Sequence, residues 1–433
     1  MSQNDNLSPN MDTNGNSIEQ PWNIFMDSSF GSNTIASGLS ATAMLLQNGS
    51  VITWGKPGSD HLVPVPRGIA TLTDIVAISA VRGAFAALRA DHSVVAWGDG
   101  LSGGYVPPEI SLLEDIVSLY ATNNAFTALR ANRSVVAWGQ RAWGAEVPPE
   151  IAELEDIVSL NVTQDAFIAL RANRSVVAWG VNGYIPTVPR KIARLRDIVS
   201  LSTTIYECTA LRADRSVISW GTTSPVPFEI AALQDIVSIS TAFNSFAGLR
   251  ANRSVVAWGI GYGRYIPPEI AQLEDIISLC AAEYAFAALR ENRSVVAWGV
   301  EYSGGSIPSE IAKLQDITTL ISTRWAFAAL RANFSIVAWG DKDWGGQIPP
   351  KIAELDDIVS LSSTYGAFAA LRANRSVVAW GDSRYGGQIP PEIARLRDII
   401  SLSSSRYAFT ALRANGRRVG WGCFDTEAHG EYD

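Results

Sequence analysis

Cysteine is scarce in this chain, whose 433 residues include three cysteines, Cys208, Cys280 and Cys423. They lie far apart in the sequence, and none has a second cysteine at the Cys-x-x-Cys spacing of metal and redox sites. Cys208 stands where most other repeats have phenylalanine, which indicates a place in the core. We therefore expect buried thiols, and neither a disulfide framework nor a metal site.

Histidine is equally scarce, with His61, His92 and His429 in unrelated places. No Ser/His/Asp or Cys/His set recurs along the chain, and no glycine-rich phosphate-binding motif precedes a helical pattern. These absences argue against catalysis. We predict a protein that is not an enzyme and that has no cofactor.

Positive charge is in the minority, because 34 Lys and Arg residues face 42 Asp and Glu residues and leave a net charge of −8. Binders of nucleic acids and of anionic membranes carry a basic surface, so neither kind of partner is expected. Long apolar runs are absent as well, and none approaches the roughly 18–20 residues of a membrane helix. The first 20 residues have no basic or apolar segment of the kind that forms a cleavable signal peptide. We predict a cytoplasmic protein, with export by an unconventional or effector-type route as the alternative.

Repetition is the main property of the sequence. A Trp-Gly pair recurs ten times at intervals of 38–43 residues, within a common text that is clearest at residues 357–391, DIVSLSSTYGAFAALRANRSVVAWGDSRYGGQIPP. A period of this length indicates a solenoid, a propeller or an array. The tryptophans of the pairs are Trp54, Trp97, Trp138, Trp179, Trp220, Trp258, Trp298, Trp339, Trp380 and Trp421.

Each repeat predicts three short β-strands, DIVSLS, AFAALR and SVVAWG, because these runs are rich in Val and aromatic residues and end at turn residues. Asn48-Gly49 and Asn415-Gly416 predict a type I′ hairpin turn between the second and third strands. The following segment, GGQIPPEIARL, contains two prolines, which suit an outer edge strand or a one-turn helix. Both faces of the strands are apolar, so each sheet must be covered on both sides, as stacked propeller blades are.

The order DIVSLS, AFAALRANRSVVAWG and YGGQIP resembles the regulator-of-chromosome-condensation repeat over about nine tenths of the chain. The resemblance implies a β-propeller whose blades have up to four strands. We predict an all-β fold, a β-propeller of about ten short three- to four-stranded blades that form one closed ring. Two smaller rings and an open superhelix are the alternatives.

The chain also departs from that family. Its units are shorter than usual and number ten rather than seven, and the family's Gly-x-x-His before the second strand is replaced by segments such as TYGAF. No long insertion matches the one that the family's guanine-nucleotide exchange factor uses against its small GTPase. Thr323-Arg324-Trp325 is only faintly similar to the Gly-Trp-Arg-His-Thr repeats of the plant ultraviolet receptor. We expect the fold to transfer and these two activities not to.

Three regions follow from the repeat boundaries: a disordered tail at residues 1–30, a propeller at 31–422 and a C-terminal tail at 423–433. The last repeat lacks an IPPEIA segment, and residues 18–25, IEQPWNIF, could replace it. We predict that segment 18–25 completes the last blade and closes the ring.

Positions that repeat in every unit are expected to be structural, beginning with the ten tryptophans, which suit the core. An arginine ends the second strand and an aspartate precedes the first strand in nine units, which predicts a ladder of ion pairs; the alternative is an anion-binding ring. The arginines are Arg89, Arg130, Arg171, Arg212, Arg250, Arg290, Arg331, Arg372 and Arg413, and the aspartates are Asp74, Asp115, Asp156, Asp197, Asp235, Asp275, Asp316, Asp357 and Asp398.

Positions that differ between repeats are better candidates for recognition, because loop aromatics and arginines are typical of binding hot spots. Before the second strand these residues are Arg82, Tyr206, Phe243, Tyr284, Arg324, Trp325, Tyr365, Arg406 and Tyr407. After the Trp-Gly pair they are Trp143, Trp344 and Tyr385, with further loop tyrosines at Tyr184, Tyr262, Tyr265 and Tyr302. They form a binding crown if the loops share one side; the alternative is that they only cap the blade ends.

The function predicted from the sequence is a non-enzymatic scaffold whose loop crown binds a protein partner, which the sequence does not identify. A carbohydrate-binding propeller is the first alternative, because exposed tryptophan and tyrosine stack on sugar rings. The second alternative is an exchange-factor-like regulator, or a translocated effector, that acts on a small GTPase.

Overall fold

A computed structural model describes residues 34–56, 63–180, 188–221 and 225–431 of the chain. Each Trp-Gly repeat forms one antiparallel sheet of three strands, and the last sheet has a fourth strand. The ten sheets are called units 1 to 10 in chain order. Segment 18–25, His61 and Tyr184 lie outside the described residues.

The strands of units 1 to 5 follow the three predicted runs. They are β1 Ile35–Ser37, β2 Ala41–Leu45, β3 Val51–Gly55, β4 Ile75–Ala80, β5 Ala84–Arg89, β6 Val94–Gly98, β7 Ile116–Ala121, β8 Ala125–Arg130, β9 Val135–Gly139, β10 Ile157–Val162, β11 Phe167–Arg171, β12 Val176–Trp179, β13 Ile198–Thr203, β14 Glu207–Arg212 and β15 Val217–Gly221.

Units 6 to 10 repeat the same order. Their strands are β16 Ile236–Thr241, β17 Ser245–Arg250, β18 Val255–Gly259, β19 Ile276–Ala281, β20 Ala285–Arg290, β21 Val295–Gly299, β22 Ile317–Ser322, β23 Ala326–Arg331, β24 Ile336–Gly340, β25 Ile358–Ser363, β26 Ala367–Arg372, β27 Val377–Gly381, β28 Ile399–Ser404, β29 Ala408–Arg413, β30 Arg418–Gly422 and β31 Asp425–Gly430.

The Pro-marked segments are one-turn helices, one of the two predicted forms. In five of them a proline is the first or second helical residue, where a missing N–H leaves no hydrogen bond unmade. The helices are α1 Arg67–Ala70, α2 Pro108–Ser111, α3 Pro149–Ala152, α4 Arg190–Ala193, α5 Phe228–Ala231, α6 Pro268–Ala271, α7 Ser309–Ala312, α8 Pro350–Ala353 and α9 Pro391–Ala394. Short 3-10 turns also follow six Trp-Gly pairs, at Gly100–Ser102, Arg141–Trp143, Tyr262–Arg264, Glu301–Ser303, Lys342–Trp344 and Ser383–Tyr385.

The predicted all-β propeller fold is confirmed. Strands follow sequence order within each three-stranded sheet, so the first strand lies at one edge and the third at the other. First strands of consecutive units contact each other. The first-strand edges therefore face the centre of the arrangement, and the third strands lie towards the outside.

Neighbouring units pack through the Trp-Gly tryptophans, which are core residues as predicted. Trp138 is 2% exposed and stacks on Phe126 of its own unit, with ring centroids 5.3 Å apart. Its indole nitrogen donates to the carbonyl of Gly103 in the preceding unit at 3.0 Å. The same contact recurs between later units, for example from Trp339 to Gly304 at 3.0 Å. Six tryptophans of units 3 to 10 tie their sheets to the previous one in this way.

The type I′ turn predicted for the hairpins is wrong. Type I′ needs two residues with positive φ, and in Asn48-Gly49 only Gly49 has one, at 78°. Other units place an arginine there, such as Arg133 at 66°, and its N–H donates to the carbonyl of Arg130 at 2.8 Å. The hairpin is a type I turn followed by one left-handed residue. The Asn132 side chain stabilises it by accepting the N–H of Ser134 at 3.0 Å.

The segment that we assigned to a C-terminal tail, residues 423–433, contains a strand instead. Cys423 and Phe424 both have a φ of 61°, so the chain turns back immediately after Trp421-Gly422. β31 then pairs antiparallel with β30, with Gly420 opposite His429. The outer edge of unit 10, which we had assigned to segment 18–25, is therefore occupied by the chain's own next residues.

Units 1 and 10 are in direct contact. The hydroxyl groups of Ser37 and Ser405 are 2.5 Å apart, and the Thr410 hydroxyl donates to the sulfur of Met44 at 3.0 Å. Strand β3 also contacts β31. Contacts of this kind between the first and last sheets are what one ring of ten units requires.

The three cysteines are free and buried. Burial raises the pKa of each thiol, to about 12 for Cys280 and Cys423.

Within the described ranges, no group of His, Cys, Asp and Glu side chains is arranged to bind a metal ion. None of the described helices has the length and apolar character needed to cross a membrane.

Candidate functional site

The nine repeated arginines form ion pairs with the nine repeated aspartates inside their own units. The shortest distances in these pairs are 2.6–3.0 Å, and each pair joins the end of a second strand to the start of a first strand. Unit 1 has Leu46 in place of the arginine. The ladder is structural, and it leaves these arginines already paired rather than open to an external anion.

The loops between first and second strands meet at the centre of the arrangement through backbone hydrogen bonds. In seven of these loops one residue donates its N–H to the carbonyl of the equivalent residue in the next unit, at 2.8–2.9 Å. We call these equivalent residues the rim positions. They are Leu39, Arg82, Asn123, Gln164, Ile205, Phe243, Glu283, Arg324, Tyr365 and Arg406.

The rim fixes the loops that the sequence analysis singled out. Phe243 donates to Glu283, Glu283 to Arg324, and Arg324 to Tyr365, so the backbone of one variable loop supports the next. Because these bonds use only main-chain atoms, side chains at the rim can vary without loss of the arrangement. The variable loops therefore do share one side, which is the condition that the predicted crown required.

Side chains divide the rim into two parts. Units 2 to 4 contribute polar rim residues, Arg82, Asn123 and Gln164. Units 5 to 10 contribute a chain of aromatic rings in mutual contact, which we call the aromatic arc. The arc consists of Tyr206, Phe243, Tyr284, Tyr302, Trp325, Trp344, Tyr365, Tyr385, Tyr407 and Phe424.

Contacts in the arc run from unit to unit. Phe243 and Tyr284 have ring centroids 5.6 Å apart, Tyr302 and Trp325 5.9 Å, and Trp325 and Trp344 4.5 Å. Most are edge-on or tilted, the geometries that aromatic quadrupoles favour. The arc joins the loop before the second strand to the loop after the Trp-Gly pair. Sequence spacing alone placed these two loops in separate groups.

Burial divides the members of the arc. Tyr365, Tyr385 and Tyr407 are 7–9% exposed, so these predicted contact residues mainly support their neighbours. Half-buried members include Tyr206, Phe243, Tyr284, Trp325 and Trp344. Tyr302 is the most exposed member of the arc, at 51%. Tyr262 is 66% exposed and is close enough to contribute to the raised pKa of Tyr302. The open part of the arc thus lies in units 6 to 8.

An ion pair crosses this part of the rim. Glu283, 2% exposed, accepts hydrogen bonds from Arg324 Nε and, at 2.8 Å, from Arg324 Nη2. The indole nitrogen of Trp325 donates to the same carboxylate at 2.6 Å. Arg324 is also stacked 4.7 Å from Trp325 and 5.0 Å from Tyr365. Its side chain is therefore oriented by one carboxylate and two aromatic rings.

Four phenols of the arc, those of Tyr284, Tyr302, Tyr365 and Tyr385, stay uncharged at neutral pH. Burial raises the pKa of Tyr284, Tyr302 and Tyr365, and it raises that of Tyr385 to about 12, with the neighbouring Tyr407 adding to the effect. For Arg324, burial lowers the pKa, but the hydrogen bond that it donates to Glu283 opposes this effect and the net pKa is raised. The arc thus offers neutral hydroxyl donors beside a fixed guanidinium charge.

Trp143 and Arg82 lie apart from the arc. The Arg82 guanidinium is 5.9 Å from the Trp143 ring, across the boundary of units 2 and 3. The Trp143 carbonyl accepts the hydroxyl of Thr122 at 2.9 Å, and Trp344 and Tyr385 are fixed in the same way by Thr323 and Thr364. Arg82 itself is exposed. Ten of the twelve predicted residues are members of the arc or are Arg324 and Arg406, which stack on it. The other two, Arg82 and Trp143, form this separate pair.

Sequence reasoning missed two contributors. Glu283 was not a site residue, although it stands one repeat of 41 residues before Arg324, and a pair of opposite charges at one repeat spacing indicates contact between neighbouring blades. Phe424 was placed in a tail, yet its ring lies 5.7 Å from both Tyr385 and Tyr407. Nothing in the repeat pattern pointed to Phe424, because it lies beyond the last repeat.

The fold and this rim define a β-propeller-type repeat protein with one aromatic and one polar side at its centre. No family model matches the sequence, and no curated protein is detectably similar to it. Similar solved structures include the ectodomain of receptor kinase CR4 from Physcomitrella patens, with a TM-score of 0.38 and 21% identity over 62% of this chain and 73% of that one. Prp20p from Saccharomyces cerevisiae, the yeast RCC1, has a TM-score of 0.34 and 15% identity over 72% of this chain and 83% of that one. Human WBSCR16 has a TM-score of 0.33 and 15% identity over 76% and 83%.

Proposed function

We propose that this propeller is a non-enzymatic scaffold that binds another protein through the open part of the aromatic arc. The observation that supports it is the continuity of Phe243, Tyr284, Tyr302 and Trp325, which contact one another in sequence across three units. Clustered aromatic residues with a fixed arginine are the composition of protein-binding hot spots. Because the similar structures have low TM-scores and low identities, no partner is transferred from them to this chain.

Rigidity strengthens the proposal. The loops that bear Phe243, Tyr284 and Trp325 are joined by backbone hydrogen bonds from Phe243 to Glu283 and from Glu283 to Arg324. A surface that is already ordered loses little conformational entropy when a partner binds. The buried tyrosines of units 9 and 10 support this surface from one side. We therefore place the contact set at Tyr262, Tyr284, Tyr302 and Trp325.

The test is capture with the full chain, identification of the captured protein by mass spectrometry, and direct titration of that purified partner. Tyr284→Ala with Tyr302→Ala should weaken binding at least about tenfold, because hot-spot truncations cost about 2 kcal/mol or more. Tyr105→Ala is the matched control, since Tyr105 is 66% exposed and makes no ring contact with the arc. Equal affinity of the arc variant and the wild type, with unchanged thermal unfolding, would refute the proposal.

A carbohydrate ligand is the second candidate, because aromatic and amide groups are neighbours on the rim. Asn244 follows Phe243, and its side-chain oxygen is buried without a hydrogen-bond partner among the described residues. Sugar hydroxyls would supply that donor while the rings stack on the sugar face. A glycan array with the same arc variant separates this candidate from a protein partner. The exchange-factor alternative has no observation in its favour in the described part of the chain.

A further inference from the structure

The rim at the junction of units 10, 1 and 2 carries two arginines that differ from the paired arginines of the ladder and the arc. In the order of units, its rim positions are Arg406, Leu39 and Arg82. Leu39 is 44% exposed, and its N–H donates to the carbonyl of Arg82 at 2.9 Å. Ser37 and Ser405, in hydroxyl contact at 2.5 Å, join units 1 and 10 beside it. At this junction the rim position between two arginines therefore carries an exposed aliphatic side chain.

Both arginines lack an acidic partner in the described residues. Four arginines lie at the rim or on the arc, and two of them are paired: Arg324 with Glu283, and Arg384 with Asp382 at 2.5 Å. Arg82 and Arg406 form no ion pair within the described ranges, in contrast to these two and to the nine ladder arginines. These two positive charges are thus not neutralised by a carboxylate of the described residues, on a chain whose net charge is −8.

Aromatic rings orient Arg406 and Arg82, and the Tyr365 hydroxyl also accepts a hydrogen bond from Arg406. The Arg406 guanidinium lies 4.7 Å from the Tyr365 ring and 5.4 Å from the Tyr407 ring, and Arg82 lies 5.9 Å from Trp143. Stacking occupies the face of the guanidinium plane, whereas its N–H groups point outwards within that plane. The Nε of Arg406 is buried and has no hydrogen-bond partner among the described residues. An unmatched buried donor is unfavourable, which a ligand with an acceptor group would relieve.

We propose that Arg82 and Arg406 bind carboxylate groups of an acidic peptide segment in the protein partner, with an apolar side chain of that segment against Leu39. Carboxylate and guanidinium match in charge and in bidentate geometry. This inference rests on the proposed function, because the junction adjoins the aromatic arc through Tyr365 and Tyr407. It adds the chemistry of the partner: acidic residues that flank an aliphatic or aromatic one.

The experiment uses the full chain and two fluorescein-labelled peptides, measured by fluorescence anisotropy at low salt. In the first peptide glutamates alternate with leucine, and in the second every glutamate is replaced by glutamine. We expect the glutamate peptide to bind at least about tenfold more tightly, and the preference to shrink as salt screens the charges. Equal affinities for the two peptides would overturn the proposal.

Variants locate the preference. Arg82→Gln and Arg406→Gln should each remove most of it while leaving binding of the glutamine peptide unchanged, and Arg406→Lys should retain only part, because lysine lacks the planar donor pair. Arg384→Gln is the matched control, an arginine of the arc that already has a carboxylate partner. If Arg384→Gln reduced the preference as much as the other two, or if neither of them reduced it, the assignment would be wrong. Thermal unfolding confirms that each variant is folded.

Failure of this inference can be told apart from failure of the proposed function. If Arg82→Gln with Arg406→Gln still captures the identified partner at wild-type affinity, while the Tyr284 and Tyr302 variant does not, the carboxylate site is refuted and the scaffold function stands. If the aromatic variant keeps its affinity and the glutamate preference persists, the arc is refuted and the arginine pair stands.

Discussion

The indole nitrogen of Trp54, in the first unit, donates a hydrogen bond to the carbonyl oxygen of Gly422, in the last unit, over 3.1 Å. In six other units the equivalent tryptophan donates to a glycine carbonyl of the unit before it in the sequence, as Trp138 does to Gly103. An indole-to-glycine hydrogen bond thus joins the two ends of the repeat array, although Gly422 belongs to a Trp-Gly pair and Gly103 to the turn after one. Trp54 lacks a phenylalanine partner in its own sheet and instead stacks on His429, with ring centroids 4.8 Å apart.

Trp54→Ala should destabilise the protein by about 3–5 kcal/mol, the usual cost of removing a large buried aromatic. Trp54 is 3% exposed and packs against Gly420. A Cβ at position 420 would lie 2.8 Å from the Trp54 ring, so the glycine makes room for the tryptophan. Hydrogen exchange followed by mass spectrometry should show faster exchange in both unit 1 and unit 10. Trp339→Ala, an interior equivalent, is the control. Faster exchange confined to unit 1 would contradict a ring that closes at this junction.

The junction should also weaken at acidic pH. Burial lowers the pKa of His429, although Asp425 and Glu427 oppose the shift. As the pH falls through 6.5, the usual pKa of histidine, the unfolded chain takes up a proton before the folded chain does. The contribution of His429 to stability is therefore complete above that pH, and it is lost as the pH falls to the lower pKa of the folded state. His429→Phe keeps the stacking and removes the titration. Between pH 7.5 and 5.5 the wild type should lose more thermal stability than this variant, and equal losses would contradict the assignment.

The turns show how far the sequence could predict the fold. The strand runs, the Trp-Gly core and the ion-pair ladder all follow from the repeated text, because ten copies average out local ambiguity. The turn type did not follow, because Asn-Gly occurs both in type I′ turns and in type I turns that end in a left-handed glycine. β31 was missed since Asp425–Gly430 reads as a polar tail. Its pairing depends on Gly420 and on the fit of His429 to Trp54, which are contacts between distant parts of the chain.

The candidate site was predicted in composition but not in geometry. Aromatic residues in variable loops were recognisable, and the rim hydrogen bonds place those loops on one side. Burial could not be read from the sequence. Tyr302 and Tyr407 are both loop tyrosines, yet one is 51% and the other 7% exposed, because Phe424 and Tyr385 pack against Tyr407. Such differences arise from neighbouring units rather than from the repeat itself.

A hairpin substitution should stabilise the protein. Arg375 has a φ of 62°, a left-handed conformation that costs roughly 1–2 kcal/mol for a residue with a Cβ. Arg375→Gly should therefore raise stability by about 0.5–1 kcal/mol, the remainder being offset by the greater entropy of the unfolded chain. The chain itself has glycine at this position in units 1 and 10, as Gly49 and Gly416. Chemical unfolding provides the measurement.

Ala373→Gly is the matched control for that substitution, since Ala373 lies in the same turn without a positive φ. Ala373→Gly relieves no backbone strain, and glycine increases the conformational entropy of the unfolded chain. The substitution should therefore lower stability by about 0.5–1 kcal/mol. Stabilisation by both glycines, or by neither, would show that the left-handed conformation at Arg375 does not govern the stability of the hairpin.

The buried pair of Glu283 and Arg324 should show strong coupling. Arg324→Met leaves the carboxylate of Glu283 uncompensated at 2% exposure, which should cost about 3–5 kcal/mol. Glu283→Gln in the same chain removes that charge, while the amide oxygen can still accept the indole N–H of Trp325. The double variant should therefore be more stable than Arg324→Met alone, as measured by the midpoint of chemical unfolding. Additive losses in the double variant would mean that the two charges do not depend on each other across the boundary of units 7 and 8.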